Sequence, residues 1–447
     1  MRLLGKLVLP LALLLGAPVL SSAKEPPAIP ADLANYIAKD EPGSGWKIED
    51  SKDFGSAKVW RLKLTSQVWQ GITWTHDLLV VRPSDAPIGK MLLLNEGGSA
   101  SEQKAMYAAL LAGKIKAPVA ILLGIPNQPL FENKREDHLI AETFVRYLDS
   151  GDSSWPLLFP MVKSVVKAMD SLQEFSKQEW GGPVEKFIVG GGSKRGWTTW
   201  LTAASDPRVM AITPMVIDVL NMREQLTHQQ KSLGGTSEEI SPYTERGLVP
   251  IPDTPRANSL WTMVDPWTYR ERFTMPKLIV LGNNDPYWST DALNLYWDAL
   301  PGEKYISYTP NAGHDLTERD AAGKKLTPDR SINNVCSFIR YQLSGKPMPK
   351  LSWKHGTRPD GSLELTITAD PAPQQARLWY AHSETRDFRK ARWESQPIEL
   401  KEGQPITASG PKPDNGFAAY YADLGYQIDD LPQWLCTQLR VVGADEK

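Results

Sequence analysis

The sequence predicts an α/β fold, a parallel sheet with helices between its strands, followed by a small all-β module. Three observations carry that expectation. Apolar runs of the buried-strand type recur at about 91–94, 118–123, 186–190, 211–217, 277–282 and 304–309, with helix-compatible segments between them. Ahead of these, 59–65 and 72–81 alternate in the manner of opening antiparallel strands. After a helix around 332–343, Pro347 and Pro349 mark a boundary. Beyond it short alternating strands, at 363–367, 376–380, 418–421 and 438–442, are separated by Gly, Pro and Asp turns. The expected organisation is an α/β domain over 24–346, interrupted at about 125–180 and 220–275. A β-sandwich of the immunoglobulin or fibronectin kind is expected over 347–447.

The first 23 residues stand apart. Arg2 and Lys6 precede an apolar stretch from Leu7 to Leu20, and Ser21-Ser22-Ala23 suits signal peptidase. The expectation is a cleavable signal, cut after Ala23, and a secreted or periplasmic protein. No other apolar run is long enough to span a bilayer, so stable membrane insertion is not expected. A net charge of −2 gives no basic footprint for nucleic acid. Cys336 and Cys436 would be free to bridge in an oxidising compartment, although a chain of 447 residues does not need that staple. No metal-spaced His/Cys cluster and no internal repeat is found, and no metal or other cofactor is implied. Nothing in the sequence sets the oligomeric state.

Residues 190–196 read Gly-Gly-Gly-Ser-Lys-Arg-Gly, after the apolar run Lys186-Phe187-Ile188-Val189 and before a helix-compatible stretch containing Trp197, Trp200 and Leu201. Strand, tight glycine turn, serine and helix make a nucleophile elbow, whose strained turn lifts the hydroxyl clear of the sheet. The usual pattern is Gly-x-Ser-x-Gly. Gly191 and Ser193 fit it, but Arg195 stands at the second glycine's place and Gly196 comes one later. A plain βα turn or a phosphate cradle is the other reading of such a loop.

A serine nucleophile needs a base and an acid that holds the base's tautomer. Among six histidines, His314 follows the strand-like Lys304-Tyr305-Ile306-Ser307-Tyr308, and Asp285 follows Lys277-Leu278-Ile279-Val280-Leu281. Both sit just past the carboxyl ends of strands, where open α/β sheets place their chemistry. Ser193, Asp285, His314 is the α/β-hydrolase order. Taken singly, Asp285 also reads as a turn residue before Pro286, and His314 as a loop histidine. Asp218, at the end of the strand 211–217, is the alternative acid. The oxyanion hole is expected from the amide of Lys194 and from Gly97-Gly98, in the loop after Met91-Leu92-Leu93-Leu94, which also reads as a simple turn. Cations at Lys194 and Arg195 oppose a helix macrodipole. The expectation is that Lys194 faces the pocket and that Arg195 pairs with a carboxylate beneath the elbow. The segment 220–275 occupies the usual place of a cap; a surface excursion away from the site is the alternative.

In five segments the chain resembles the PhoPQ-activated pathogenicity-related family of secreted bacterial proteins. They are Pro126-Asn127-Gln128-Pro129-Leu130; Arg135-Glu136-Asp137 with Leu139-Ile140-Ala141; Trp155-Pro156 through Pro160-Met161-Val162-Lys163; Gly192 through Thr198; and Asn284-Asp285-Pro286-Tyr287-Trp288. The resemblance spans essentially the whole mature chain. It implies an α/β-hydrolase fold with an appended β-domain, secretion, and a link to virulence or host-peptide resistance. Asn127, Gln128 and Trp288 in these segments are candidate substrate-binding residues beside Lys194. A more distant likeness is to glucuronoyl esterases, whose elbow carries Cys where Gly192 stands and Arg where Lys194 stands. The expected activity is therefore a serine hydrolase acting on a small-molecule ester, glycan or peptide, an esterase ahead of a serine peptidase. The other class of reading is a non-catalytic peptide- or glycan-binding or signalling protein on a hydrolase scaffold.

Overall fold

The computed structural model describes residues 29–359 and 361–445; the expected signal segment lies outside the described residues. After a short helix, α1 (Asp32–Ala38), the chain forms three antiparallel strands, β1 (Gly45–Asp53), β2 (Ala57–Trp69) and β3 (Ile72–Pro83). Strands and helices then alternate: β4 (Lys90–Asn95), α2 (Glu102–Ile115), β5 (Val119–Leu122), α3 (Glu136–Ser150), α4 (Leu158–Trp180), β6 (Lys186–Gly192), α5 (Lys194–Ser205) and β7 (Val209–Met215). Three helices follow, α6 (Met222–Leu233), α7 (Ser241–Thr244) and α8 (Pro255–Val264), before β8 (Lys277–Gly282), β9 (Lys304–Thr309) and α9 (Asp329–Ser344). The strand order is β1-β2-β3-β5-β4-β6-β7-β8-β9, parallel from β5 to β9. This is the α/β-hydrolase arrangement, and the six apolar runs of the sequence are its six parallel strands.

The sheet is buried on both faces, which is why those strands read as continuous apolar runs rather than alternating ones. The period of two still sorts them. Leu78, Val80, Met91 and Leu93 pack into the core under α4 and α5, whereas Leu79, Val81, Leu92 and Leu94 join the core under α2 and α9. Residues 158–180, within the first interruption, are the long helix α4 of this layer. It is pinned partly by Phe175, which meets Trp46, Trp60 and Trp180 edge-on at ring centroid distances of 5.7, 5.4 and 5.5 Å. Such pairs add about 0.5–1.5 kcal/mol each beyond area burial.

The remaining strands are β10 (Lys350–Thr357), β11 (Leu363–Asp370), β12 (Gln375–Ser383), β13 (Glu394–Pro397), β14 (Ile406–Gly410), β15 (Phe417–Ile428), β16 (Leu431–Cys436) and β17 (Arg440–Gly443). They correct the expectation of a self-contained immunoglobulin-like sandwich. Only β10-β11-β14 form a sheet of their own. β16 bridges to β9 at Cys436 and Ile306, so β16-β15-β12-β13 extend the hydrolase sheet beyond its last parallel strand. The physical reason is in the packing: Leu365, Ile367, Leu378 and Leu424 share one apolar core with Phe338 and Ile339 of α9 and with β4 and β5. Cys336 and Cys436 are both buried and free, and the Cys436 sulfur accepts the Tyr308 N–H at 3.3 Å.

Candidate active site

Ser193 sits between β6 and α5 with φ 56° and ψ −127°. Positive φ at a residue with a Cβ costs of order 1–3 kcal/mol and persists only where the surroundings impose it. Here the glycines impose it. A Cβ on Gly191 would lie 2.7 Å from both the Arg195 carbonyl oxygen and Asn95 Nδ2, and one on Gly196 would lie 2.6 Å from Ile217 Cγ2 and 2.9 Å from the Gly191 carbonyl oxygen. The helix thus crosses the strand end at Gly196. That accounts for the displaced glycine and leaves position 195 free to carry a side chain. The Lys194 amide is the first of the unpaired N–H groups at the α5 N-terminus.

Asp285 and His314 come from adjacent loops whose backbones interlock. The Asn284 N–H donates to the Ala312 carbonyl at 2.9 Å, and a Cβ on Gly282 would overlap the Ala312 and Gly313 carbonyls. His314 Nδ1 lies 2.8 Å from Asp285 Oδ2. A carboxylate only accepts, so Nδ1 carries the proton and Nε2 is the free ring nitrogen. Asp285 Oδ1 accepts the Tyr287 N–H at 2.9 Å, so Asp285 is a turn residue as well. The Tyr287 ring packs on the imidazole with centroids 4.4 Å apart. Asp218 is engaged elsewhere: its Oδ1 accepts the Tyr296 hydroxyl at 2.5 Å. Burial, with the Asp285 charge nearby, pushes its carboxyl up to about 7, unsuited to steadying an imidazolium.

The cations at 194 and 195 are answered by two acids at the start of α3, Glu136 and Asp137, to which the sequence reading gave no role. Arg195 forms a bidentate pair with Glu136, 2.7 Å to each carboxylate oxygen, and donates to the Ile125 carbonyl at 2.6 Å. Its guanidinium lies so close on Gly97 that a Cβ there would overlap it. Burial raises the Glu136 carboxyl, but the Arg195 hydrogen bonds and charge outweigh it and bring it down to about 2. Lys194 Nζ is 2.7 Å from Asp137 Oδ2, whose other oxygen accepts the Tyr243 hydroxyl at 3.0 Å.

Ser193, Lys194, Trp288 and His314 line one cavity of about 50 Å³, otherwise walled largely by apolar side chains such as Trp197, Ile217 and Val219. Met222, Leu226, Tyr243 and Trp261 complete it, so the segment 220–275 covers the site rather than straying from it. Trp261 and Trp288 each bury an indole N–H with no protein partner. Asn127 and Gln128 are not among the lining residues. Gln128 instead uses both ends of its amide on Glu136, accepting its N–H at 2.8 Å and donating to its carboxylate at 2.6 Å.

Two further residues escaped the sequence reading. Asn284 Nδ2 reaches the carbonyls of Ala391, Phe388 and Arg389 at 2.8, 3.1 and 3.3 Å. Asn311 exchanges two bonds of 2.9 Å with the Trp393 backbone. Both tie the Asp285 and His314 loops to the β12–β13 connection. Asn284 stands inside a segment that carries the family resemblance and Asn311 just ahead of His314, but neither showed its anchoring role.

Comparison with known proteins places the chain. Among solved structures, acetyl xylan esterase 1 from Thermoanaerobacterium is 14% identical, with 70% of this chain and 94% of that one covered at a TM-score of 0.48. An S-formylglutathione hydrolase from Agrobacterium tumefaciens is 14% identical, with 67% and 98% covered at a TM-score of 0.42. Autocrine proliferation repressor protein A of Dictyostelium discoideum is 28% identical over 443 residues, spanning 89% of this chain and 87% of its own. The family model for PhoPQ-activated pathogenicity-related protein matches residues 33–389. The chain belongs to the PhoPQ-activated pathogenicity-related protein family.

Proposed function

We propose that the protein is a secreted serine ester hydrolase. The observation that carries this reading is the strained Ser193 sharing one cavity with His314, whose Nδ1 is 2.8 Å from Asp285 Oδ2. Ser193 Oγ attacks the ester carbonyl as His314 Nε2 takes its proton. The tetrahedral oxyanion is stabilised by the Lys194 amide, with the Gly97-Gly98 loop as the second donor. The carbonyl then re-forms, and the alcohol leaves with the proton from His314. Water repeats the sequence on the acyl-enzyme. Asp285 steadies the imidazolium throughout. The small, apolar cavity suits a short acyl group better than the extended backbone of a peptide, which favours esterase over peptidase. Ser193→Ala and His314→Ala should each abolish release of acetate from simple acetyl esters by the full-length protein. Unchanged hydrolysis by either variant rejects the reading. Secretion rests on residues 1–23, and an exported protein beginning at Lys24 is its test.

A second reading is a signalling protein on the same scaffold, with any part in virulence exerted through binding. The name of the Dictyostelium relative, a proliferation repressor, favours it. It predicts a folded protein that turns over no ester at all.

A further inference from the structure

His314 belongs to two spaces. It closes one side of the apolar cavity, and it also lines an open groove of about 580 Å³ that no role so far accounts for. The groove runs between the loops carrying Asn284 and Asn311 and the β12–β13 connection, and four of its residues are cationic, Arg319, Arg389, Lys390 and Arg392. It holds two carboxylates, of which Asp315 is paired with cations and Asp320 is held by backbone N–H groups alone. Asp315 takes Lys325 at 2.5 Å and Arg319 at 3.8 Å, while Asp320 accepts the N–H groups of Ala322 and Lys324. Arg389 is matched by Asp387 and Glu238, but the exposed Arg392 spends its guanidinium on the carbonyls of Arg319 and Asp320, and no carboxylate among the described residues forms an ion pair with it. Lys390 is exposed beside it. With four cations against two carboxylates, the groove lining is net positive in a chain whose net charge is −2.

The chemistry assigns the two sides. The group that protonates the leaving oxygen is His314, so the alcohol half of an ester lies against it, and of the two spaces His314 lines only the groove of about 580 Å³ has room for more than a short chain. The acyl half then falls in the small apolar cavity. Lys194 cannot select an anion, because Asp137 and Glu136 already match its ammonium.

We infer that the groove binds the alcohol half of the substrate and that this half is anionic: the substrate class is a short-chain acyl ester of an acidic alcohol, such as an acetylated acidic glycan. The inference rests on the ester-hydrolase reading. The test compares nitrophenyl acetate with its ring-carboxylated counterpart, using the full-length protein. The kcat/KM ratio, normalised to alkaline hydrolysis of each ester, should favour the carboxylated ester by about tenfold at low salt and fall toward one as salt screens the groove. Lys390→Glu, at an exposed position, should lower that ratio below the wild-type value, and Lys390→Glu with Arg392→Gln should lower it further. A wild-type ratio at or below one, or one insensitive to both salt and Lys390→Glu, overturns the inference while leaving the hydrolase intact. Failure to hydrolyse either ester overturns the hydrolase reading, and this inference with it.

Discussion

The two halves of the proposed machinery are held in place by opposite chemistry. The nucleophile side is fixed by charge: Lys194 and Arg195 at the start of α5 clasp Asp137 and Glu136 at the start of α3. Each helix N-terminus favours the acids and disfavours the cations, and the bidentate Arg195 pair overrides that preference. The base-and-acid side is fixed by neutral amides: Asn284 and Asn311 seat the Asp285 and His314 loops on the backbone of the β12–β13 connection. The difference teaches that a charged clamp belongs where two helix ends must be held against each other. It also gives the C-terminal strands a role. They extend the sheet, and they supply the surface on which half of the site rests.

The largest effect should come from breaking the acid itself. Asp285→Asn should lower kcat by about 10⁴-fold, since the amide holds the wrong tautomer of His314, while Asp218→Asn should leave ester turnover within severalfold of wild type. Steady-state kinetics on one acetyl ester decides between the two acids.

Next come the neutral anchors. Asn284→Ala or Asn311→Ala removes hydrogen bonds worth roughly 0.5–1.5 kcal/mol each. We expect kcat to fall about tenfold or more, because the two amides hold the loops that carry the Asp285–His314 pair. A rise in KM alone would show that the β12–β13 connection shapes binding instead.

The charged clamp should report on stability and on pH. Arg195→Ala should destabilise the fold by roughly 1.5–3 kcal/mol, toward the lower end because Glu136 retains some access to water. The Glu136 carboxyl is depressed to about 2 from an ordinary 4.5. Its stabilising contribution is therefore complete above about 4.5 and is lost as pH falls toward 2. Urea melts of wild type and Arg195→Ala should differ fully at neutral pH and converge in acid.

A second pH effect, of opposite sign, concerns Asp218. Its carboxyl is raised to about 7 in the fold from an ordinary 3.8, so its stability contribution is complete below 3.8 and declines as pH rises toward 7. Asp218→Asn should flatten that slope in melts recorded across the same range.

Legibility in the sequence followed burial. The six parallel strands declared themselves because two-sided burial demands unbroken apolar runs, and the elbow did so because close backbone approach demands glycine. The edge strands β1 and β13 were silent. Gly45–Asp53 and Glu394–Pro397 are nearly all exposed, so no face is selected for apolar residues. The joining of the C-terminal strands to β9 rests on one bridge between Ile306 and Cys436, residues too far apart in the chain for any local pattern to connect. Ser193, Asp285 and His314 were readable as an ordered set. Their supports were not, because Glu136, Asp137, Asn284 and Asn311 are polar residues in turns and at a helix start, where such residues are ordinary.

The central claim, that Ser193 is a nucleophile activated by His314, is tested most directly by reaction with a fluorophosphonate followed by peptide mapping of the adduct. Wild type should gain one phosphonyl group on the peptide carrying Ser193, Ser193→Ala should gain none, and His314→Ala should react far more slowly. A folded wild-type protein that stays unmodified, or an adduct that persists in Ser193→Ala, would contradict it.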